Sequence, residues 1–228
     1  MVKAIILVKY ITGRLDPRTL QGYSLPVSTD LSPVALRRLV LSRELADQRE
    51  QRGEESLSSA QIASFLGEDS SLIRKDFRVL DLDTQGRSYR TSELLNSLDR
   101  YSGNKQIWAL VGMGDLGLHL LRRLQAGGFT IGAVFDAKPN RLDQLDLGVP
   151  SYPAYEIPQR LPLMGIRAAI LAVPASAVQT TVERLVQGGV KGIVNCSRGL
   201  VRQIRGVEVI NAGVELQFLL MEALLKKN

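Results

Sequence analysis

Apolar and polar residues follow two different patterns along this chain, which predict two kinds of domain. Between residues 31 and 102 the apolar residues recur every three or four positions, as on helices that bury one face. From residue 107 onwards, short apolar runs alternate with helical stretches, which is typical of a doubly wound parallel sheet. Residues 1–30 show no sustained period and predict an irregular extension with one strand over 4–10.

The helical region is predicted to begin at Ser32, a good helix cap, with Pro33 at the first helical position. This helix is expected to end in the charged stretch over 47–55. Its predicted apolar stripe consists of Leu36, Leu39, Val40 and Leu45.

Two short helices joined by a glycine come next. Ser58 or Ser59 caps the first helix, and Gly67 ends it in the manner of a left-handed cap. Asp69 or Ser70 caps the second helix. The first helix has apolar residues at Ile62, Ala63, Phe65 and Leu66. The second has apolar residues at Leu72, Ile73, Phe77 and Leu80, and a polar, basic face made of Ser71, Arg74, Lys75 and Arg78.

This helix pair predicts a helix-turn-helix whose second helix enters a major groove of DNA. The alternative is a small helical domain whose basic face is only solvated. Residues 81–89 predict a short wing, and a further helix from Thr91 ends at a domain boundary near 102–103. The expected DNA contacts are Ser70, Ser71, Arg74, Lys75, Arg78 and Arg87.

The second domain opens with the strand Ile107–Val111, followed by a GxGxxG motif and a helix, the context in which this motif binds dinucleotides. Gly112 is expected to permit the turn, Gly114 to let a pyrophosphate approach, and Gly117 to allow close packing. The start of the helix would hold the phosphates. A glycine turn needed only for packing is the alternative.

Asp136 ends the next strand, over 129–135, about 20 residues past the motif, where an acid can bind a ribose hydroxyl. Further strands are predicted over 168–173, 192–196 and 207–211, with ligand across their carboxyl ends. The expected cofactor contacts are Gly112, Met113, Gly114, Asp115, Leu116, Gly117, Asp136, Ala137, Lys138, Tyr152, Val173, Pro174 and Asn195.

The last helix, over 214–227, is apolar around nearly its whole circumference. Such a helix must be buried on all sides, so we expect it to pack between the two subunits of a homodimer, exchanged between them. A membrane-associated helix is opposed by Glu215 and Glu222 and by the shortness of the run.

Composition adds limits to this picture. The 228 residues carry a net charge of +6, which allows contact with nucleic acid but does not show it. The single cysteine, Cys196, excludes an internal disulfide and fits a reducing cytoplasm. Neither a membrane span nor a signal peptide is expected, and no metal site is predicted.

Several motifs taken in order make the chain resemble Rex, the redox-sensing transcriptional repressors of bacteria. The motifs are the recognition helix SSLIRKDF (70–77), VGMGDLG (111–117), AVFD (133–136), GVPSY (148–152), VPA (173–175), GVKGIVN (189–195) and VEL (214–216). The resemblance implies a winged helix-turn-helix domain over 31–102, a Rossmann-like NAD(H) domain over 103–212 and a dimer helix over 213–228. It also implies a homodimer that binds NADH and NAD+ competitively and leaves operator DNA when NADH binds.

The chain departs from that family's pattern at four places. The wing keeps only Arg87 as a basic residue, and Lys138 replaces a second acid, a change that can tolerate a 2′-phosphate. Gly213 stands where an acid couples the nicotinamide to the DNA domain, and Cys196 begins a changed run beside the nicotinamide.

Three other functions stay open at this point. An NAD-dependent oxidoreductase needs a proton donor beside the nicotinamide. The only histidine, His119, lies on the helix after the glycine loop, although Tyr152 could lie near the nicotinamide. A CoA-binding module and a Rex-like dimer that has lost DNA binding or redox coupling are the other two. The prediction is a repressor and not an enzyme.

Overall fold

The structure, a computed structural model, describes residues 31–78, 82, 88–101, 106–138, 142 and 147–226, without the side chains of residues 100 and 101. The predicted strand over 4–10, Leu80, Arg87 and the junction at 102–104 lie outside the described residues. The chain divides into two compact units, residues 1–104 and 105–228. This division lies close to the predicted boundary.

The first unit is helical with a small sheet. Its elements are α1 (Pro33–Glu50), β1 (Ser56–Ser58), α2 (Ser59–Leu66), α3 (Ser70–Arg78), β2 (Ser88–Arg90) and α4 (Thr91–Tyr101). β1 and β2 pair antiparallel, with Leu57 opposite Tyr89. The helix pair α2–α3 followed by strand β2 is the predicted winged helix-turn-helix arrangement.

Local sequence signals explain these helices. The hydroxyl of Ser32 accepts a hydrogen bond from the Ala35 amide at 3.2 Å, which caps α1 as predicted. Ser58 caps α2 in a reciprocal capping box with Gln61. Gly67 ends α2 at φ +69°, a left-handed conformation that glycine adopts without strain.

Four apolar residues that we predicted on buried stripes are exposed instead: Leu36, Val40, Phe65 and Leu72. In α1 the packed side carries small residues, and the buried set is Ala35, Leu39, Ser42, Leu45 and Ala46. In α2 and α3 the core is filled by Ile62, Ile73 and Phe77, since such short helices turn only a narrow stripe inward.

The second unit is the predicted α/β layer structure. Its elements are β3 (Ile107–Val111), α5 (Asp115–Ala126), β4 (Thr130–Asp136), β5 (Ser151–Pro153), α6 (Ile157–Leu163), β6 (Ala168–Leu171), α7 (Val178–Gln187), β7 (Gly192–Asn195), β8 (Glu208–Asn211) and α8 (Val214–Leu225). The six strands are parallel in the order β5-β4-β3-β6-β7-β8. The strand order thus reverses between β3 and β6. This is the doubly wound topology, whose ligand site lies at the carboxyl ends of the strands beside that reversal.

The centre of the sheet is buried on both faces. Alternate residues of β3 enter different cores, with Ala109 and Val111 on one side and Leu110 on the other. By contrast, none of the residues of α8 is buried, and Phe218 is 68% exposed. Among the described residues, no helix is long and apolar enough to cross a membrane.

Candidate functional site

The turn after β3 is a tight glycine loop. Gly112 has φ +96°, and its amide donates a hydrogen bond to the Phe135 carbonyl at 2.7 Å. A β-carbon at Gly112 would lie 2.4 Å from the carbonyl oxygen of Ala172, and one at Gly117 would lie 1.8 Å from the Gly112 oxygen. Both positions therefore require glycine, for the reasons that the motif predicts.

Helix α5 starts directly from this loop. Gly114 is the cap residue, and no side chain makes a capping hydrogen bond there. Met113 is buried, whereas Asp115 and Leu116 are exposed. An uncapped helix start presents amide donors and the positive end of the helix dipole, which suits a phosphate group.

Asp136 lies at the end of β4 and is 5% exposed. One carboxylate oxygen accepts a hydrogen bond from the Met113 amide and the other from the Lys138 amide, each at 2.7 Å. This carboxylate therefore fixes the glycine loop against β4. Contact between this carboxylate and a ribose hydroxyl stays a prediction.

Tyr152 lies on β5, paired with Phe135 on β4. Its ring is 5.8 Å from that of Phe135, and the Arg160 guanidinium lies 4.3 Å from its centroid. Strand order places Tyr152 in the Asp136 half of the sheet, the half that we assign to the adenosine. The position of Tyr152 relative to the nicotinamide stays a prediction, although β5 lies on the side of β4 away from β6 and β7.

The opposite half of the site is built from the loops after β6 and β7. The Val173 amide donates to the Ser197 hydroxyl at 3.0 Å, and Pro174 follows it on the surface. The Asn195 amide group donates to the Gly199 carbonyl at 2.6 Å and to the Asn211 side chain at 2.9 Å. Its oxygen accepts from the Ser197 amide.

The Asn195 side chain is thus fully engaged within the protein and 1% exposed. This geometry favours a supporting role over the direct cofactor contact that we predicted. Sequence reasoning missed its partners, Ser197 and Asn211. The signal was available, since asparagines end both β7 and β8, and these two residues face each other in the register.

The basic face of α3 in the first unit has the predicted composition. Ser71, Arg74, Lys75 and Arg78 are exposed, whereas Ile73, Asp76 and Phe77 are buried. The Arg74 guanidinium contacts the hydroxyls of Ser70 at 3.1 Å and Ser59 at 3.3 Å, which holds it on the side of α2.

The start of α3 carries an acidic cap. An oxygen of Asp69 accepts a hydrogen bond from the Ser71 amide at 2.6 Å. Hydrogen bonds from the Ser71 side chain and backbone lower the pKa of Asp69 below its ordinary value. The Asp69 carboxylate therefore stays ionised at neutral pH and stabilises the first turn of α3 through this hydrogen bond.

A buried ion pair fixes the other side of α3. Arg38 of α1 binds Asp76 through two hydrogen bonds, of 2.7 and 3.2 Å, and the two side chains are 13% and 6% exposed. Hydrogen bonding to Asp76 raises the pKa of Arg38 above its ordinary value. The sequence patterns did not predict this pair, because the two residues are far apart in the chain.

Strand β2 packs beneath the same helix. The Tyr89 ring meets the Phe77 ring edge-to-face at 5.0 Å, and burial raises the pKa of the Tyr89 phenol. Of the predicted wing, residues 82 and 88–90 are described.

A basic helix-turn-helix unit followed by a Rossmann-like unit is the architecture of a ligand-responsive transcription regulator. The chain is 31% identical over 201 residues to the redox-sensing transcriptional repressor Rex of Listeria welshimeri, covering 85% of this chain and 93% of that protein. It is 30% identical over 216 residues to Rex of Streptomyces coelicolor, covering 91% and 81%. The chain belongs to the Rex family, which confirms the predicted resemblance.

Comparisons of fold agree with this assignment. The Rex-family repressor RSP matches with a TM-score of 0.73 at 24% identity, covering 88% of this chain and 100% of that structure. RSP has also been solved with β-NAD+ and operator DNA, at a TM-score of 0.73, and with β-NADH, at 0.71. Residues 104–199 match the family model described as CoA binding domain. The relatives are named as repressors, in agreement with the prediction that the chain is not an enzyme.

Proposed function

We propose that this chain is a homodimeric, cytoplasmic repressor that binds operator DNA and is released from it when NADH replaces NAD+. The observation that carries the proposal is the exposed basic face of α3 in a chain that also has the glycine loop of a dinucleotide site. Relatives named redox-sensing repressors, and RSP structures with NAD+, NADH and operator DNA, support it.

The residues present fit a dinucleotide. Gly112 and Gly117 leave a cradle that a β-carbon would fill, and the start of α5 offers amides to a pyrophosphate. Asp136, with Ala137 and Lys138 exposed after it, would bind the adenosine ribose. Tyr152 belongs to that half of the site, and Val173 and Pro174 to the nicotinamide half, with Asn195 behind them.

Operator contact is assigned to Ser70, Ser71, Arg74, Lys75 and Arg78 of α3, and to Arg87. Basic side chains would bind phosphates and guanine edges, and the uncharged ones would add hydrogen bonds. NADH acts by favouring a conformation in which these contacts cannot form, which couples the two sites thermodynamically. Helix α8 would join the subunits, because its apolar side chains are exposed in the single chain.

The experiment is fluorescence anisotropy with a duplex selected by the full-length protein, titrated with NADH and, separately, with NAD+. NADH is expected to dissociate the complex at concentrations where NAD+ does not. Arg74→Ala should weaken binding and lower the salt slope by about 1. The matched control is Arg37→Ala, an exposed arginine of α1, which should bind as wild type. DNA binding that is indifferent to both dinucleotides would contradict the proposed sensing.

Calorimetry with NADH, NADPH and CoA identifies the ligand. The position of Asp136 favours NADH, because a 2′-phosphate would meet its charge. Equal affinity for NADPH would show that Lys138 offsets that charge, and tight CoA binding without NADH binding would instead favour the module described by the matched family model.

A further inference from the structure

One residue of α3 does not fit the description of a basic, solvated face. Leu72 is the third of the nine residues of this helix and is 36% exposed. Its neighbour Ile73 is fully buried, and Phe77 fills the same core, so the packing of the unit is supplied by other side chains. Leu72 is the only apolar side chain on the exposed face of α3, whose residues are all described.

The position of Leu72 around the helix is defined by its neighbours. Two residues correspond to about 200° of rotation, so Leu72 and Arg74 lie on opposite flanks of the exposed face, with Ser71 and Lys75 between them. Arg74 is held on the flank towards α2 by Ser59 and Ser70. Leu72 therefore lies at the border of the exposed face, on the side away from Arg74.

We propose that Leu72 contacts the 5-methyl group of a thymine and is a specificity-determining residue for operator recognition. This inference rests on the proposed DNA binding. Residues at the start of a recognition helix contact base edges in the major groove. Leucine has no hydrogen-bonding group, and the thymine methyl is the apolar group that base pairs present in that groove. Contact between the two removes both from water.

The test uses the duplex that the full-length protein selects from a random pool. Each thymidine is replaced singly by deoxyuridine, which removes the methyl and keeps every hydrogen-bonding group. For wild type, replacement at one or more positions should weaken binding about fourfold per methyl, which corresponds to ~0.8 kcal/mol. For Leu72→Ala the same replacement should change affinity less than about 1.5-fold, as expected once the apolar partner is gone.

Two controls separate contact from folding. Leu72→Ala should bind the deoxyuridine duplex within about twofold of wild type, since neither complex then has the contact. Phe65→Ala removes an exposed aromatic ring of α2, 61% exposed, and should keep the fourfold thymine preference.

Selection of no duplex would overturn the DNA-binding proposal and this inference with it. Tight, NADH-sensitive binding without any thymine preference would overturn the role of Leu72 alone. A preference that persists in Leu72→Ala would likewise assign the methyl contact to another residue.

Discussion

Replacing Arg38 with methionine should destabilise the first unit by about 3–5 kcal/mol, because Asp76 would be left as a buried charge without its partner. The starting geometry supports a loss within this range. Both Arg38–Asp76 hydrogen bonds are within 3.2 Å, and both side chains are almost out of contact with solvent. Replacing both residues, as in Arg38→Met with Asp76→Leu, should restore most of the stability, since apolar packing then replaces the pair.

Urea unfolding measures this effect. The only tryptophan, Trp108, lies in the second unit, so its fluorescence follows that unit while circular dichroism follows both. With a slope of about 1.5 kcal/mol/M, a loss of 3 kcal/mol lowers the midpoint of the first unit by roughly 2 M and leaves the fluorescence transition in place.

The matched control is Arg43→Met on the same helix. Arg43 binds Asp99 at an equal 2.7 Å, but these side chains are 40% and 54% exposed. Solvent screening limits the loss there to about 1 kcal/mol. If Arg38→Met cost no more than Arg43→Met, burial would not be the reason for the strength of the Arg38–Asp76 pair.

Three further predictions concern the second unit. Gly117→Ala should weaken NADH binding at least about tenfold by calorimetry, since backbone overlap costs roughly 1–3 kcal/mol or more. Gly192→Ala, whose β-carbon would have no neighbour within 4 Å, should bind NADH normally, and equal losses in the two variants would refute the steric argument. Burial raises the pKa of the Cys196 thiol, because the folded protein favours the neutral form. The free energy of unfolding should therefore fall as the pH rises above the ordinary pKa of the thiol. Iodoacetamide at pH 8 should therefore label the native protein more slowly than the urea-unfolded chain, and equal rates would contradict this. Phe218→Asp on α8 should sediment as a monomer, whereas the exposed Glu222→Gln should remain dimeric.

Much of the fold follows from local patterns in the sequence. Ser32 with Pro33, Ser58 with Gln61, and Gly67 specify helix ends through bonds within a few residues, and the structure contains these ends. The parallel, doubly wound sheet also follows, because short apolar strands alternate with helices along the chain. The buried faces of the helices were less predictable, since Leu36 and Phe65 are apolar yet exposed.

The site was predictable in outline but not in its internal bonds. The glycines and Asp136 were found because their spacing is set by a ligand that many proteins share. The Arg38–Asp76 pair joins residues from separate elements, so no local spacing marks it. The Asn195–Asn211 pair is marked only by an asparagine at the end of each strand, which indicates the pair once β7 and β8 are known to be neighbours. The half of the site to which Tyr152 belongs depends on strand order, which the sequence around Tyr152 does not contain.

The carboxylate of Asp136 has a kinetic consequence. It accepts a hydrogen bond from the Met113 amide at 2.7 Å, a bond within the protein that we expect to hold the glycine loop in one conformation as a dinucleotide enters. Association should then be a single phase whose rate rises linearly with dinucleotide concentration. Under such conditions the residence time of the bound nucleotide, and not its arrival, sets how quickly the repressor follows a change in the NADH pool.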